Sequence, residues 1–212
     1  MVTPVEQFLP QLGRVVGVRR EVPRRELREL YDKGDYKGVI NAVKRSMGLD
    51  MRLFIVRTYK APPGVSKKAV AWVALPEKYM PPYGSKEFRT MCITVSIRHS
   101  FMNTATFEEF VTVVAHELSH IVLDSIGHVW KRYEPAVDLT AMLLGYAELY
   151  EEASSSHLRS MYFASPFETC WKKQLFGWCA RIFLLRRRMY TEFYLSREEI
   201  AQAAKWIRLN RR

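Results

Sequence analysis

Residues 106–127 read TFEEFVTVVAHELSHIVLDSIG, and the fold of this stretch determines what the rest of the chain can build around it. Thr106 and Glu109 have the spacing of a capping box, in which the threonine takes the N-cap and the glutamate reaches back to its backbone. Phe107, Phe110, Val111, Val114, Leu118, Ile121, Val122 and Ile126 then recur at helical spacing, and Gly127 suits a helix stop. The segment His116-Glu117-Leu118-Ser119-His120 therefore falls in the middle of a predicted helix. His116 and His120 are one turn apart on one face, so both imidazoles can reach a single metal ion. Glu117, beside the first histidine, is placed to hold a metal-bound water and take its proton as general base.

Catalytic zinc usually has three protein ligands and an open position. The choice for the third is Glu134. Pro135 marks the first turn of a second predicted helix, with Val137, Ala141, Leu144 and Tyr146 at helical spacing and a continuation to about Glu152. After the turn at Gly127 that helix could return antiparallel to the first. Asp138, one turn beyond Glu134, could accept a hydrogen bond from a ligand histidine and fix its tautomer.

Other donors are weaker alternatives. His128 requires an irregular turn, and a straight helix carries Asp124 away from the ion. Leu123 and Ile126 stand where the metzincin pattern needs glycine and histidine. Glu148, Glu151 and Glu152 read as a solvated helix end, and Cys92 reads as a buried strand thiol rather than an upstream ligand.

With His116, Glu117, His120, Glu134 and Asp138, the chain resembles the gluzincin metallopeptidases, whose His-Glu-x-x-His is followed on a second helix by Glu-x-x-x-Asp. The resemblance covers about residues 88–152. Among cytosolic groups it looks most like small ImmA/IrrE-like and minigluzincin-type peptidases. It implies a zincin-like α+β fold, with a small mixed or antiparallel sheet packed on the motif helix and the second ligand helix. It implies one Zn²⁺ per chain on His116, His120 and Glu134, with Glu117 as general base and Asp138 orienting a ligand. In that family the strand before the motif helix pairs with an extended peptide, so Met91 to Ile97 is the expected substrate edge. Candidates for an oxyanion-stabilising group are His157, Tyr146 and Tyr162; packing or a surface role is the competing reading for each.

The 212 residues, 48% of them hydrophobic, suffice for one sizeable core, and a single domain over 1–212 is expected. Its parts are a helical N-terminal region to about residue 50, the sheet and metal-site helices over 51–152, and a basic, aromatic, helical region over 153–212. Residues 1–22 are compatible with an arm or a short helix. Pro23 to Met47 reads as two helical pieces divided at Gly34-Asp35. Met51–Tyr59, Ala69–Leu75 and Met91–Ile97 read as strands, and Ser196 with Glu199 opens a last helix.

Cys92, Cys170 and Cys179 form no Cys-x-x-Cys pair and leave an odd count, which argues against a disulfide framework or zinc ribbon and fits a reducing, cytoplasmic setting. The N-terminus lacks the pattern of a secretory signal, and the run from Leu175 to Leu185 is too short to span a bilayer.

The net charge of +11 is uneven. Residues 101–170 carry ten acidic and three basic side chains, whereas 171–212 carry three and eleven. The motif segment is thus acidic, as a site of metal ligands and carboxylates would be. The basic C-terminal region interleaves Trp171, Trp178, Tyr190, Phe193, Tyr194 and Trp206 with Arg186, Arg187 and Arg188, a composition suited to an acidic partner or a nucleic acid. The rival is an aromatic subdomain packed on the core.

Two functions follow. The first is a zinc-dependent peptidase acting on a protein or peptide through a metal-activated water. The alternative is a zinc-binding regulatory or nucleic-acid-associated protein with little or no hydrolysis.

Overall fold

The computed structural model describes residues 3–60, 69–76, 79–155 and 195–211. Among these the chain is mixed α+β: a three-stranded sheet and a larger set of helices packed around one central helix. That helix, α6 (Phe107–Ser125), carries the motif. Its start is the expected capping box: Thr106 Oγ1 accepts the Glu109 N–H at 3.3 Å, and Glu109 Oε2 accepts the Thr106 N–H at 2.8 Å. Ile126 is the C-cap, and Gly127 follows with φ +62°, a left-handed conformation that glycine adopts without steric cost. Phe110, Val111, Val114, Leu118 and Ile121 are fully buried, each contributing about 2 kcal/mol of transfer free energy. A helix buried on nearly every side holds the functional side chains at fixed positions.

The N-terminal part is α1 (Pro4–Val16), α2 (Arg24–Asp32) and α3 (Tyr36–Ser46), so the first segment is a helix and not an arm. Asp35 divides α2 from α3 by capping the latter through the Gly38 N–H at 2.8 Å. Then come β1 (Arg52–Thr58), β2 (Ala71–Ala74), the short α4 (Lys86–Thr90), β3 (Cys92–Arg98) and α5 (His99–Thr104). The three strands match the expected segments to within a few residues; α4 and α5 have no counterpart in the sequence reading.

Strand order corrects one expectation. The sheet runs β1-β3-β2, with β1 parallel and β2 antiparallel to β3. The strand over Met91 to Ile97 is therefore central, hydrogen-bonded on both sides, and is not a free edge for a peptide. Its Ile93, Val95 and Ile97 side chains are buried in the core, whereas Cys92, expected to be a buried thiol, is exposed at the start of the strand. Strand β2 is the edge that lies against α6.

A second correction concerns the helix after Gly127. The spacing predicts one helix from Glu134 to about Glu152, whereas the chain forms α7 (Glu134–Ala141), a π-type turn over Met142–Tyr146 and then α8 (Ala147–Ser155). The interruption is at Gly145, with φ +104°. The Arg19 N–H donates to the Leu143 carbonyl at 2.8 Å and the Val22 N–H to the Gly145 carbonyl at 3.0 Å, so the connection between α1 and α2 satisfies backbone acceptors of the turn. The last helix, α9 (Arg197–Asn210), opens with the expected Ser196–Glu199 capping box and packs on α8 and α1, with Trp206 half-buried against the core. No helix among the described residues is long and apolar enough to cross a membrane.

Candidate metal centre

The turn between α6 and α7 brings the N-terminus of α7 beside the motif face of α6. Glu134, the first residue of α7, thereby meets both motif histidines. One ligand atom from each of His116, His120 and Glu134 lies within 4.8 Å of the other two, and all three residues are buried or largely so. Glu134 Oε2 is 2.9 Å from His116 Nε2 and 3.5 Å from His120 Nε2. The two imidazoles are nearly perpendicular, at 82°, with ring centroids 5.0 Å apart. The side chains thus converge from two helices on one point.

The tautomer of His116 gives that convergence chemical meaning. Its Nδ1 lies 2.8 Å from Asp138 Oδ1, deep in the core, and a carboxylate only accepts, so Nδ1 carries the proton. In the neutral ring Nε2 then presents a lone pair, and it presents it to a carboxylate oxygen. Glu134 Oε2 is itself buried and, with Nε2 unprotonated, accepts no hydrogen bond. Two acceptors at 2.9 Å repel each other unless a cation lies against both or a proton sits between them. Two imidazole nitrogens and a carboxylate oxygen are the donor set of a catalytic zinc site with three protein ligands, so the residues fit the ion.

Without a metal, protons do the balancing. Burial disfavours the imidazolium of His116, but the charge and hydrogen bond of Asp138, with Glu134 opposite, outweigh it and raise its pKa well above the ordinary value. Burial pushes the Glu134 carboxyl up, and the two histidines more than reverse this, holding it far below the usual carboxylate range.

Glu117 is partly buried, and its carboxyl is raised. Burial is the main cause; the charges of His116 and His120 oppose it, the charge of Glu134 adds to it, and a hydrogen bond from the Val73 backbone N–H opposes it. The ladder phase accounts for that last bond. In an antiparallel pair, alternate residues turn their backbone groups toward the partner, and Arg98 N–H donating to Val70 carbonyl sets residues 70, 72 and 74 facing β3. Val73 therefore faces away from β3, toward Glu117.

The remaining candidates fall elsewhere. Asp138 makes the expected contact with a motif histidine, at His116 Nδ1. The Tyr146 hydroxyl is committed to the Ser46 hydroxyl and to the Val43 carbonyl at 3.4 Å, a buried packing role against α3, and burial raises its pKa. His157 and Tyr162 lie outside the described residues, as does the arginine-rich stretch around Arg186. Asp124 pairs with Lys131, and His128 Nδ1 accepts the Trp130 N–H at 3.2 Å, so neither joins the cluster. Two contributors have no motif in the sequence: Val73, through its backbone, and Tyr150, whose hydroxyl donates to Asp138 Oδ1 at 3.0 Å. Compared with family models, curated proteins and solved structures, the chain gave no match, so its chemistry is read from its own geometry.

Proposed function

We propose that the chain is a zinc-dependent peptidase of zincin-like fold and gluzincin type. The observation that carries this reading is the cluster of His116, His120 and Glu134, in which a buried carboxylate oxygen lies 2.9 Å from an imidazole nitrogen whose partner nitrogen is already committed to Asp138. A bound Zn²⁺ supplies Lewis acidity, polarising a carbonyl oxygen and making water acidic enough to deprotonate near neutral pH. Glu117, with its carboxyl raised by burial, is suited to take a proton from water and deliver it to the leaving amine. His116 is held in register by Asp138, and Glu134 closes the donor set from the second helix.

A peptide as substrate is supported by the edge beside the base. Strand β2 pairs with no other described strand on its outer side, and Ala71 and Val73 turn their backbone groups that way. An extended chain laid along β2 would bring a carbonyl past Glu117. The cysteine pattern makes the cytoplasm the expected setting. The test is Glu117→Gln: the variant should bind one zinc per chain and fail to hydrolyse an unfolded protein that the wild type cleaves. Hydrolysis at the wild-type rate in that variant contradicts the assignment of the base, and absence of stoichiometric zinc in the wild type contradicts the centre itself.

A further inference from the structure

Asp138 Oδ1 accepts two hydrogen bonds, one from His116 Nδ1 at 2.8 Å and one from the Tyr150 hydroxyl at 3.0 Å. Asp138 and Tyr150 are 12 residues apart. On one continuous helix that separation is a rise of roughly 18 Å, beyond the reach of a tyrosine side chain. The contact exists because the chain breaks between them, and α8 packs back against α6 instead of running on from α7.

The break is built in at Gly145. Its φ of +104° is strained for any residue with a Cβ, and a Cβ there would collide with the Arg20 carbonyl oxygen. The acceptors at Leu143 and Gly145 are taken by the N–H groups of Arg19 and Val22. Tyr150 is itself buried, so its hydroxyl is delivered to Asp138 inside the core.

We propose that Tyr150 is a positioning residue of the metal centre: delivered by the break at Gly145, it holds Asp138 so that Oδ1 stays on His116 Nδ1 and His116 Nε2 stays aimed at the ion. This rests on the metal-centre reading of His116, His120 and Glu134. A carboxylate with one bond can rotate about its side chain; a second donor on the same oxygen removes that freedom. The remaining oxygen, Oδ2, is buried and accepts no hydrogen bond, so Oδ1 alone anchors the carboxylate. The sequence signal for this arrangement is one glycine inside a helical run, with no indication of what it delivers.

The experiment uses zinc alone as the probe, in competition with a chromophoric chelator, on the full chain. Tyr150→Phe removes one oxygen and keeps the ring. It should weaken zinc binding about tenfold, the lower end of what loss of a ligand-orienting partner costs, and should shift the visible spectrum of the Co²⁺-substituted protein. In an Asp138→Ala background the same change should have no further effect on affinity, because Tyr150 acts through Asp138. A merely structural tyrosine would lower the melting temperatures of the metal-free and zinc-loaded forms alike and leave affinity and spectrum unchanged; that result overturns the proposal, as would additive losses in the double variant. A wild type that binds no zinc overturns the metal-centre reading and this inference together, whereas a wild type that binds zinc beside an equally tight Tyr150→Phe overturns this inference alone.

Discussion

The backbone N–H of Val73 donates to the carboxylate of Glu117, so the edge of the sheet and the proposed general base share a hydrogen bond. A donor to the charged form lowers a carboxyl pKa, so here it works against burial, which raises it. Because this N–H faces away from β3, proline at position 73 removes the donor without removing a ladder bond. Val73→Pro should therefore keep zinc and move the acidic limb of the kcat/KM profile to higher pH, since the base then protonates more readily. A profile unchanged in that variant would show that the bond does not set the protonation of Glu117.

With His116 as a zinc ligand, as proposed, the protein's response to pH should depend on whether zinc is bound. Its folded pKa lies above the ordinary 6.5. A histidine raised in this way stabilises the metal-free fold fully below the unfolded value, and that stability is lost as pH rises through the raised value. Zinc requires the deprotonated Nε2, so its uptake releases a proton and its affinity falls as pH drops. Melting temperatures of metal-free and zinc-loaded protein, taken from about pH 5 to about pH 9, should accordingly diverge as pH rises. Parallel curves would contradict the assignment of His116 as the shared site of proton and metal.

Asp138 should matter to zinc through charge as well as geometry. Asn at this position keeps an oxygen that can accept from His116 Nδ1 and from Tyr150 but removes the negative charge that makes the imidazole a better donor to the ion. Asp138→Asn is expected to lose about tenfold in zinc affinity and Asp138→Ala closer to a hundredfold. Titration against a competing chelator measures both; equal losses would mean that the charge alone is at stake, and an Asn variant as tight as the wild type that orientation alone is.

What was legible in the sequence was local. The motif helix announces itself because its cap, its apolar spacing and its glycine stop are all contained in residues 106–127. Glu134 and Asp138 could be read because a single turn separates their helix from the motif. The break at Gly145 could not: a lone glycine costs a helix only about 1 kcal/mol, and what turns it into a break is the backbone around Arg20, far away in sequence. Tyr146 and Tyr150 are one helical turn apart, yet the first anchors to Ser46 and the second to Asp138, and periodicity alone cannot say which tyrosine reaches the site. The place of β3 between its neighbours is likewise a matter of strand order, which no strand encodes by itself.

The Thr106 cap offers a test that separates the frame from the chemistry. Its Oγ1 satisfies the Glu109 N–H at the first turn of α6, remote in sequence from His116. Thr106→Ala leaves that donor without its cap and removes the capping box, at about 1 kcal/mol. For a chain of this length that corresponds to a fall in melting temperature of about 2–4 °C. The helix beyond its first turn is fixed by its buried side chains, so the convergence of His116, His120 and Glu134 should survive in the folded fraction. Zinc affinity measured well below the melting temperature should thus match the wild type. A matching stability loss accompanied by a large loss of affinity would mean that the first turn of α6 sets the ligand geometry, contrary to the rigid central helix described above.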